Sequence, residues 1–155
     1  IEIIPINKRK YIWSFIGDYN KTDRKKMIDT FAQANFENYY YNNSLKPEQM
    51  FDIYKDSIFI PIGHGNIGLN CFRIYEACMC GAIPIIVGSN EKIQDTFEKE
   101  NNPPWIFSNS WENAVELCKQ YLNNESLLIH KQSEILDWYR KRILDVKYKI
   151  NNIIK

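Results

Sequence analysis

Short apolar runs alternate with longer segments of helical periodicity along the first 90 residues of this 155-residue chain. The runs at Tyr11–Ile16, residues 58–60 and Ile83–Val87 are rich in aromatic and β-branched side chains and are too short for buried helices. A strand with an unbroken apolar run is typical of a parallel sheet whose two faces are both covered. The alternation therefore predicts an α/β protein in which helices connect parallel strands.

The segments between these runs carry helix signals. Residues 23–34 predict a helix with Thr22 as its N-cap, and a second helix begins at Pro47, a residue favoured in the first helical turn. Residues 36–41 predict a second strand, and residues 72–80 a third helix. The resulting order, β-α-β-α-β-α-β, predicts a Rossmann-like parallel sheet with helices on both faces.

The last third of the chain carries weaker strand signals and stronger helix signals. We expect a polar surface loop that contains at most one short helix over residues 91–104, a short strand over 105–107 and a helix over 111–122 capped by Ser110. Residues 125–155 predict one long helix, because apolar residues recur at steps of four and three. This stripe, which we expect to pack on the chain's own sheet rather than to self-associate, comprises Ile135, Tyr139, Ile143, Val146, Ile150 and Ile153.

The length predicts one domain, residues 1–155, with a core at 10–123 and the terminal helix at 125–155. A net charge of +1 gives no electrostatic reason to expect nucleic acid or an anionic membrane as a partner. We find no run of apolar residues long enough to span a membrane. The four cysteines contain no C-x-x-C pair and the two histidines are too few for a zinc motif, so no metal site is expected.

Two predicted loops combine glycine with charged residues. Gly17 follows the first strand and precedes Arg24, whereas the glycine-rich loop 63–70 follows the third strand and precedes Arg73 and Glu76. Ligands of open parallel sheets bind at the carboxyl ends of the strands, where such loops lead into helices. Glycine N–H groups, helix N-termini and arginines suit a diphosphate, and a carboxylate one turn into a helix suits a ribose diol.

A second interpretation needs no ligand. Arg73 and Glu76 are three residues apart, so they could pair with each other on a helix face while the glycines only form turns. The domain would then be a non-catalytic Rossmann-like module for protein interaction. A dinucleotide oxidoreductase is disfavoured, because Gly17 is not part of a G-x-G-x-x-G motif and the second strand ends in tyrosines 40–41 instead of an acidic residue.

Four segments in the same order resemble the exostosin-type glycosyltransferases of family 47. They are Lys-Tyr-Ile-Trp-Ser-Phe-Ile-Gly at 10–17 with Arg24 downstream, Ser-Ile-Phe-Ile-Pro-Ile-Gly at 57–63, Phe-Arg-Ile-Tyr-Glu-Ala at 72–77 and Gly-Ala-Ile-Pro-Ile-Ile at 81–86. The likeness covers about residues 10 to 90 and concerns the C-terminal, donor-binding half of a GT-B fold.

The resemblance implies a glycosyltransferase domain that binds a nucleotide sugar, UDP- or GDP-linked, as substrate without a metal or other cofactor. Glu76 would hold the ribose, Arg73 and Arg24 the diphosphate, and Gly17 and Gly65 would let the backbone approach closely. The acceptor would be a glycan or a protein-linked sugar. Animal and plant relatives act in the Golgi lumen, but unpaired cysteines favour a cytoplasmic protein.

The resemblance also leaves roles open. Gly63, His64, Gly65 and Asn70 belong to the glycine-rich loop, where Asn70 and Cys71 replace a serine that often precedes the arginine. His64 either touches the donor sugar or phosphate or is simply solvated, and it is the only catalytic candidate in this chain. In GT-B enzymes the general base usually comes from the N-terminal half, so this domain alone is expected to bind nucleotide without efficient transfer.

Overall fold

A computed structural model of the chain, describing residues 2–21, 23–63, 72–100 and 102–154, contains a five-stranded parallel sheet. Its spatial order is β2-β1-β3-β4-β5, and every neighbouring pair is parallel. The strands are β1 (Tyr11–Ile16), β2 (Tyr39–Asn42), β3 (Ser57–Ile62), β4 (Ile83–Val87) and β5 (Ile106–Ser108). This confirms the predicted α/β, Rossmann-like fold.

The helices of the described residues connect or follow these strands. They are α1 (Arg24–Ala32), α2 (Pro47–Lys55), α3 (Phe72–Met79), α4 (Asn90–Phe97), α5 (Trp111–Leu122) and α6 (Glu125–Ile154), with short 3-10 turns at Ile6–Lys8 and Glu98–Glu100. The step from β1 to β2 and the step from β3 to β4 run in opposite directions across the sheet. Right-handed crossovers therefore place α1 and α3 on opposite faces.

The central strands are buried because helices cover both faces of the sheet. Every residue of β3 and β4 is buried, as their unbroken apolar runs predict. On one face, Phe31 of α1 packs edge-on against Trp13 of β1 and Trp111 of α5, with ring centroids 5.4 and 6.2 Å away. The buried polar residues Ser14 and Ser57 share a hydroxyl hydrogen bond of 2.7 Å, which satisfies both within the core.

Most predicted bounds agree with the structure, and β1, β4 and α5 agree at both ends. The Ser110 hydroxyl accepts a 3.1 Å hydrogen bond from the Asn113 amide, as expected of an N-cap. Strand β2 is shorter than predicted, because its ladder with β1 begins only where Trp13 pairs with Tyr39. The predicted Thr22 cap lies outside the described residues.

The polar segment expected over residues 91–104 contains one short helix, α4, which begins one residue earlier, at Asn90. Ser89 caps this helix by accepting a 3.1 Å hydrogen bond from the Lys92 amide. Phe97 is buried, and its ring lies 5.1 Å from that of Trp105. Phe97 and the partly buried Ile93, which packs against the core, thus hold a helix whose sequence is otherwise polar.

Helix α6 packs on the sheet domain only over its first part. Leu128, Gln132 and Ile135 are buried, and the Trp138 indole donates a 2.9 Å hydrogen bond to the Glu100 carbonyl. Every residue from 144 to 154 is exposed, Leu144 by 64% and Ile153 by 83%. The expectation that the whole apolar stripe packs on the chain's own sheet is therefore wrong for its second half.

Two buried side chains join the amino ends of the strands to α6. Arg9 donates hydrogen bonds to four backbone carbonyls, those of Ile4, Tyr54, Ser57 and Cys80, at 2.6 to 3.3 Å. Gln132 donates to the carbonyls of Ile4 and Gly81 and accepts from the Ile6 amide. Burial lowers the pKa of Arg9 to about 10, which leaves the side chain charged at neutral pH.

Candidate functional site

The candidate site lies where β1 and β3, neighbours in the sheet, reach their carboxyl ends. From these two ends the chain leaves in opposite directions, through α1 towards β2 and through α3 towards β4. Adjacent strands whose connections diverge leave a crevice between the following loops, and ligands of open α/β sheets bind in that crevice. The predicted site residues Gly17, Arg24, Gly63, Arg73 and Glu76 all come from these two strand ends and the helices after them.

Arg24 is the first residue of α1, and only 3% of its surface is exposed. Its guanidinium carbon lies 5.4 Å from the centroid of the Phe15 ring, and Nη1 donates a long 3.4 Å hydrogen bond to the Asp18 carbonyl. A Cβ atom at Gly63 would lie 2.6 Å from Arg24 Cγ. Gly63 is therefore required here as clearance for the arginine stem.

Arg73 approaches the same ring from α3. Its guanidinium carbon lies 5.3 Å from the Phe15 centroid, and Nε donates a 3.0 Å hydrogen bond to the Ile16 carbonyl. A Cβ at Gly17 would lie 2.9 Å from Arg73 Nη2. The missing side chain at Gly17 thus makes room for Arg73, a role that sequence reasoning did not foresee.

Glu76 follows Arg73 by one turn of α3 and is half-buried. Burial raises the pKa of its carboxyl, and the charge of Arg73 opposes that rise. Within the described part of the chain, the Glu76 carboxylate has no hydrogen-bond donor and no cation within 4.0 Å. The close Arg73–Glu76 ion pair of the second interpretation does not form, because Arg73 points to the end of β1 instead.

Two tyrosines complete the described walls of the site near β2. The Tyr41 hydroxyl donates a 3.2 Å hydrogen bond to the Gly17 carbonyl, and the Tyr19 hydroxyl donates a 2.8 Å one to Asp29. Burial raises the pKa of Tyr41, Asp18 adds to the rise and Arg24 opposes it. Both tyrosines keep their protons at neutral pH and fix the loop after β1.

Sequence reasoning missed Phe15 and Tyr41 as members of the site. Phe15 is fully buried and looks in sequence like any core aromatic residue, although it stands two positions before the glycine that ends β1. Tyr41 stands at the end of a predicted strand, where a polar tip can reach the ligand edge of the sheet. That position was the available signal.

The predicted roles of His64, Gly65 and Asn70 concern residues outside the described part of the chain and stay predictions. Among the residues that the structure does describe, no group of three or more His, Cys, Asp or Glu side chains is arranged to hold a metal ion. Nor does any helix there have the length and apolarity needed to cross a membrane.

Three buried cysteines, Cys78, Cys80 and Cys118, are free thiols. Burial raises the pKa of each above its ordinary value, that of Cys80 to about 11. A thiol attacks as its thiolate, and these stay protonated at neutral pH. They are packing residues.

Comparison with known proteins identifies the relatives of this chain. The family model of the RXYLT1 C-terminal domain matches residues 2–155. Ribitol-5-phosphate xylosyltransferase 1 from Mus musculus is 24% identical over 174 residues, which cover 96% of this chain and 38% of the mouse protein. The Homo sapiens protein of that name is 24% identical over 176 residues, covering 96% of the chain and 39% of its own length. The Danio rerio protein is 22% identical over 171 residues, covering 95% and 38%. The chain therefore spans less than two fifths of the length of these relatives, and it belongs to the family of RXYLT1 C-terminal domains.

Proposed function

We propose that this chain is the donor-binding domain of a glycosyltransferase and that its site binds the diphosphate and ribose of a nucleotide sugar. The observation that carries the proposal is the pair of guanidiniums, Arg24 and Arg73, on the single ring of Phe15 where the connections of the sheet diverge. Two cations at that place suit two adjacent phosphates.

Arg73 can bind an anion without leaving its place. Among the described residues its only hydrogen bond is the one from Nε to the Ile16 carbonyl, so its outer nitrogens can donate to phosphate oxygens. When the bond between the sugar and the diphosphate breaks, negative charge grows on the leaving group. Positive groups held beside that charge lower the barrier, and here arginines would do so without a metal ion.

Glu76 is the proposed ribose-binding residue. No group among the described residues donates to this half-buried carboxylate, and burial raises its pKa because the charged form is costly in the free protein. Two neighbouring ribose hydroxyls would donate to its oxygens and offset that cost. Its position one turn into α3 lies beside Arg73, so ribose and diphosphate would be held by one helix.

The names of the relatives support a substrate class for this proposal. They are named for xylosyl transfer to ribitol 5-phosphate, which supports a pentose on the donor and a phosphorylated sugar alcohol within the glycan acceptor. The nucleotide is UDP or GDP. Kinship with exostosin-type enzymes, which rests on the four segments between residues 10 and 86, is part of the same proposal.

Efficient transfer would need more than this domain. The relatives are more than twice as long as the matched region, and we propose that their N-terminal half carries the acceptor site and the general base. The 155-residue chain would then bind nucleotide but transfer sugar poorly. A robust transfer rate by the chain alone would contradict this part of the proposal.

The test is a calorimetric titration of the chain with UDP, GDP and CDP, with EDTA and then with Mg²⁺. We expect one nucleotide to bind equally well in both conditions. Glu76→Gln should weaken its binding by roughly 10- to 150-fold, since a hydrogen bond to a charged group contributes about 1.5–3 kcal/mol. Glu48→Gln, at an exposed carboxylate in the first turn of α2, is the matched control.

The alternative function, a non-catalytic interaction module, has one observation in its favour. The second half of α6 exposes large apolar side chains, namely Leu144, Val146, Tyr148, Ile150, Ile153 and Ile154. Such a patch is typical of an interaction surface. The titration separates the two functions, because a pure interaction module would bind none of the three nucleotides.

A further inference from the structure

We infer that Phe15 is the residue that positions both arginines and thereby makes the site prefer a diphosphate over a monophosphate. This inference rests on the proposed nucleotide-binding function. It concerns a core residue with no polar atom, which acts on the ligand only through Arg24 and Arg73.

The contacts around Phe15 distinguish it from the other buried phenylalanines. The guanidinium carbons of Arg24 and Arg73 lie 5.4 and 5.3 Å from its centroid. Among the cation–π contacts of the described residues, no other ring receives two cations. Phe31, which is equally buried, has aromatic rings as neighbours of its own ring and no cation over it among the described residues.

The glycines beside the ring support a built arrangement. A Cβ at Gly17 would lie 2.9 Å from both Phe15 Cε2 and Arg73 Nη2, so the ring, the guanidinium and the strand end are in close contact. A Cβ at Gly63 would displace the stem of Arg24. Both strand ends thus lack a side chain where an arginine has to pass.

The physical reason for one shared ring is electrostatic. Two guanidiniums at the same strand edge repel each other, and the repulsion strengthens as water is excluded. The negative face of an aromatic ring attracts each of them and limits the positions that they can take. With the ring in place, both guanidinium carbons are held within 5.4 Å of one ring centroid, and each arginine can bind one phosphate of a diphosphate. A monophosphate cannot accept hydrogen bonds from both arginines in the same geometry.

The experiment compares Phe15→Leu with Phe59→Leu in the 155-residue chain. Phe59 is also fully buried in the sheet, and no cation lies over its ring in the described structure. Each variant is titrated with UDP and UMP, or with GDP and GMP if guanine is preferred. We expect Phe15→Leu to lower the ratio of diphosphate to monophosphate affinity by about tenfold. Phe59→Leu should lower stability but keep that ratio.

Equal ratios in the two variants would overturn the inference, while the proposed function would stand as long as the unaltered chain binds the diphosphate. Phe15→Met, whose flexible side chain can fill the space left by the ring without supplying a π face, replaces Phe15→Leu if the leucine variant does not fold.

NMR gives a readout that does not depend on the ligand. The ring current of Phe15 should shift the side-chain protons of Arg24 and Arg73, and the shift should vanish in Phe15→Leu but persist in Phe59→Leu. Failure of every nucleotide to bind would overturn the proposed function and the selectivity with it. Unchanged arginine shifts in Phe15→Leu would overturn the positioning role in every case.

Discussion

The two ends of the sheet, where its strands begin and where they end, use arginine in opposite ways. At the amino ends of the strands, the guanidinium of Arg9 donates to four backbone carbonyls. At the carboxyl ends, Arg73 donates to one carbonyl, and it shares the Phe15 ring with Arg24. A guanidinium whose donors are filled by backbone carbonyls joins segments of the fold, whereas Arg73 uses only its Nε on the backbone among the described residues. The difference separates a structural arginine from the proposed binding arginine.

The largest effect is expected from removing the structural arginine. Arg9→Met leaves the carbonyls of Tyr54, Ser57 and Cys80 buried without their donor and should lower the free energy of unfolding by about 3–5 kcal/mol. Urea denaturation measures the loss, and Arg140→Met, at a side chain that is 71% exposed, is the control. The folded fraction should still bind nucleotide. Equal stability of Arg9→Met and Arg140→Met would contradict the structural role of Arg9.

The reciprocal change removes Arg73, the proposed binding arginine. Arg73→Met should weaken diphosphate binding by roughly 10- to 150-fold, because charge-assisted hydrogen bonds contribute about 1.5–3 kcal/mol. Stability should change far less than in Arg9→Met, since only the bond to Ile16 and the contact with Phe15 are lost. Calorimetry and urea denaturation are measured on the same preparation. A large stability loss with unchanged affinity would make Arg73 a second structural arginine.

A matched pair of glycine substitutions sharpens the comparison. At the amino ends of the strands, Gly81 has φ +73°, and an added Cβ would lie 3.0 Å from Arg9 Nη2. Gly81→Ala should therefore lower the free energy of unfolding by about 1–2 kcal/mol. At the carboxyl ends of the strands, Gly17→Ala should displace Arg73 and weaken nucleotide binding by about tenfold. Thermal melts measure the stability of both variants, and calorimetry measures their nucleotide affinity. An effect of Gly17→Ala on stability alone would contradict the proposed role of Arg73.

The smallest effect concerns the pH dependence of stability at Glu76. Its carboxyl has a raised pKa in the folded, ligand-free protein, so the folded state binds the proton more tightly than the unfolded state does. Stability therefore falls as the pH rises from the unfolded value near 4.5 through the folded pKa. Glu76→Gln should be slightly more stable than the unaltered chain at pH 7, and this advantage should disappear below pH 4.5. Urea denaturation across that range checks it, and a constant difference between the two proteins would argue against the desolvated carboxylate.

Local signals were sufficient where the chain's own neighbours along the sequence decide the structure. The apolar runs of β1 and β4 and the Ser110 cap of α5 were predicted at the residues where they occur. Strand content and caps depend on side chains a few positions apart, so a sequence displays them directly. The grouping of Gly17, Arg24, Arg73 and Glu76 was also predictable, because parallel strands bring their carboxyl ends together.

Elements that depend on distant contacts were predictable only in part. The polar sequence around α4 allows a short helix but not its bounds, because the helix is held by Phe97 against Trp105 and by Ile93 against the core. The stripe of α6 keeps its helical spacing to the end, but only its first part meets Tyr75 and the aromatic residues around it. Periodicity shows which face of a helix is apolar and says nothing about whether another surface reaches that face.

The sequence by itself determined the α/β class and the order of strands and helices along the chain. It also determined the pair of loops that brings two arginines and a glutamate to the carboxyl ends of the strands. Only the tertiary structure decided what each arginine does. Arg9, Arg24 and Arg73 are alike in sequence, but backbone carbonyls surround the first and an aromatic ring lies beneath the other two. The physical reason is that the acceptors and the ring come from other strands and helices, so a guanidinium's partners exist only once the chain has folded.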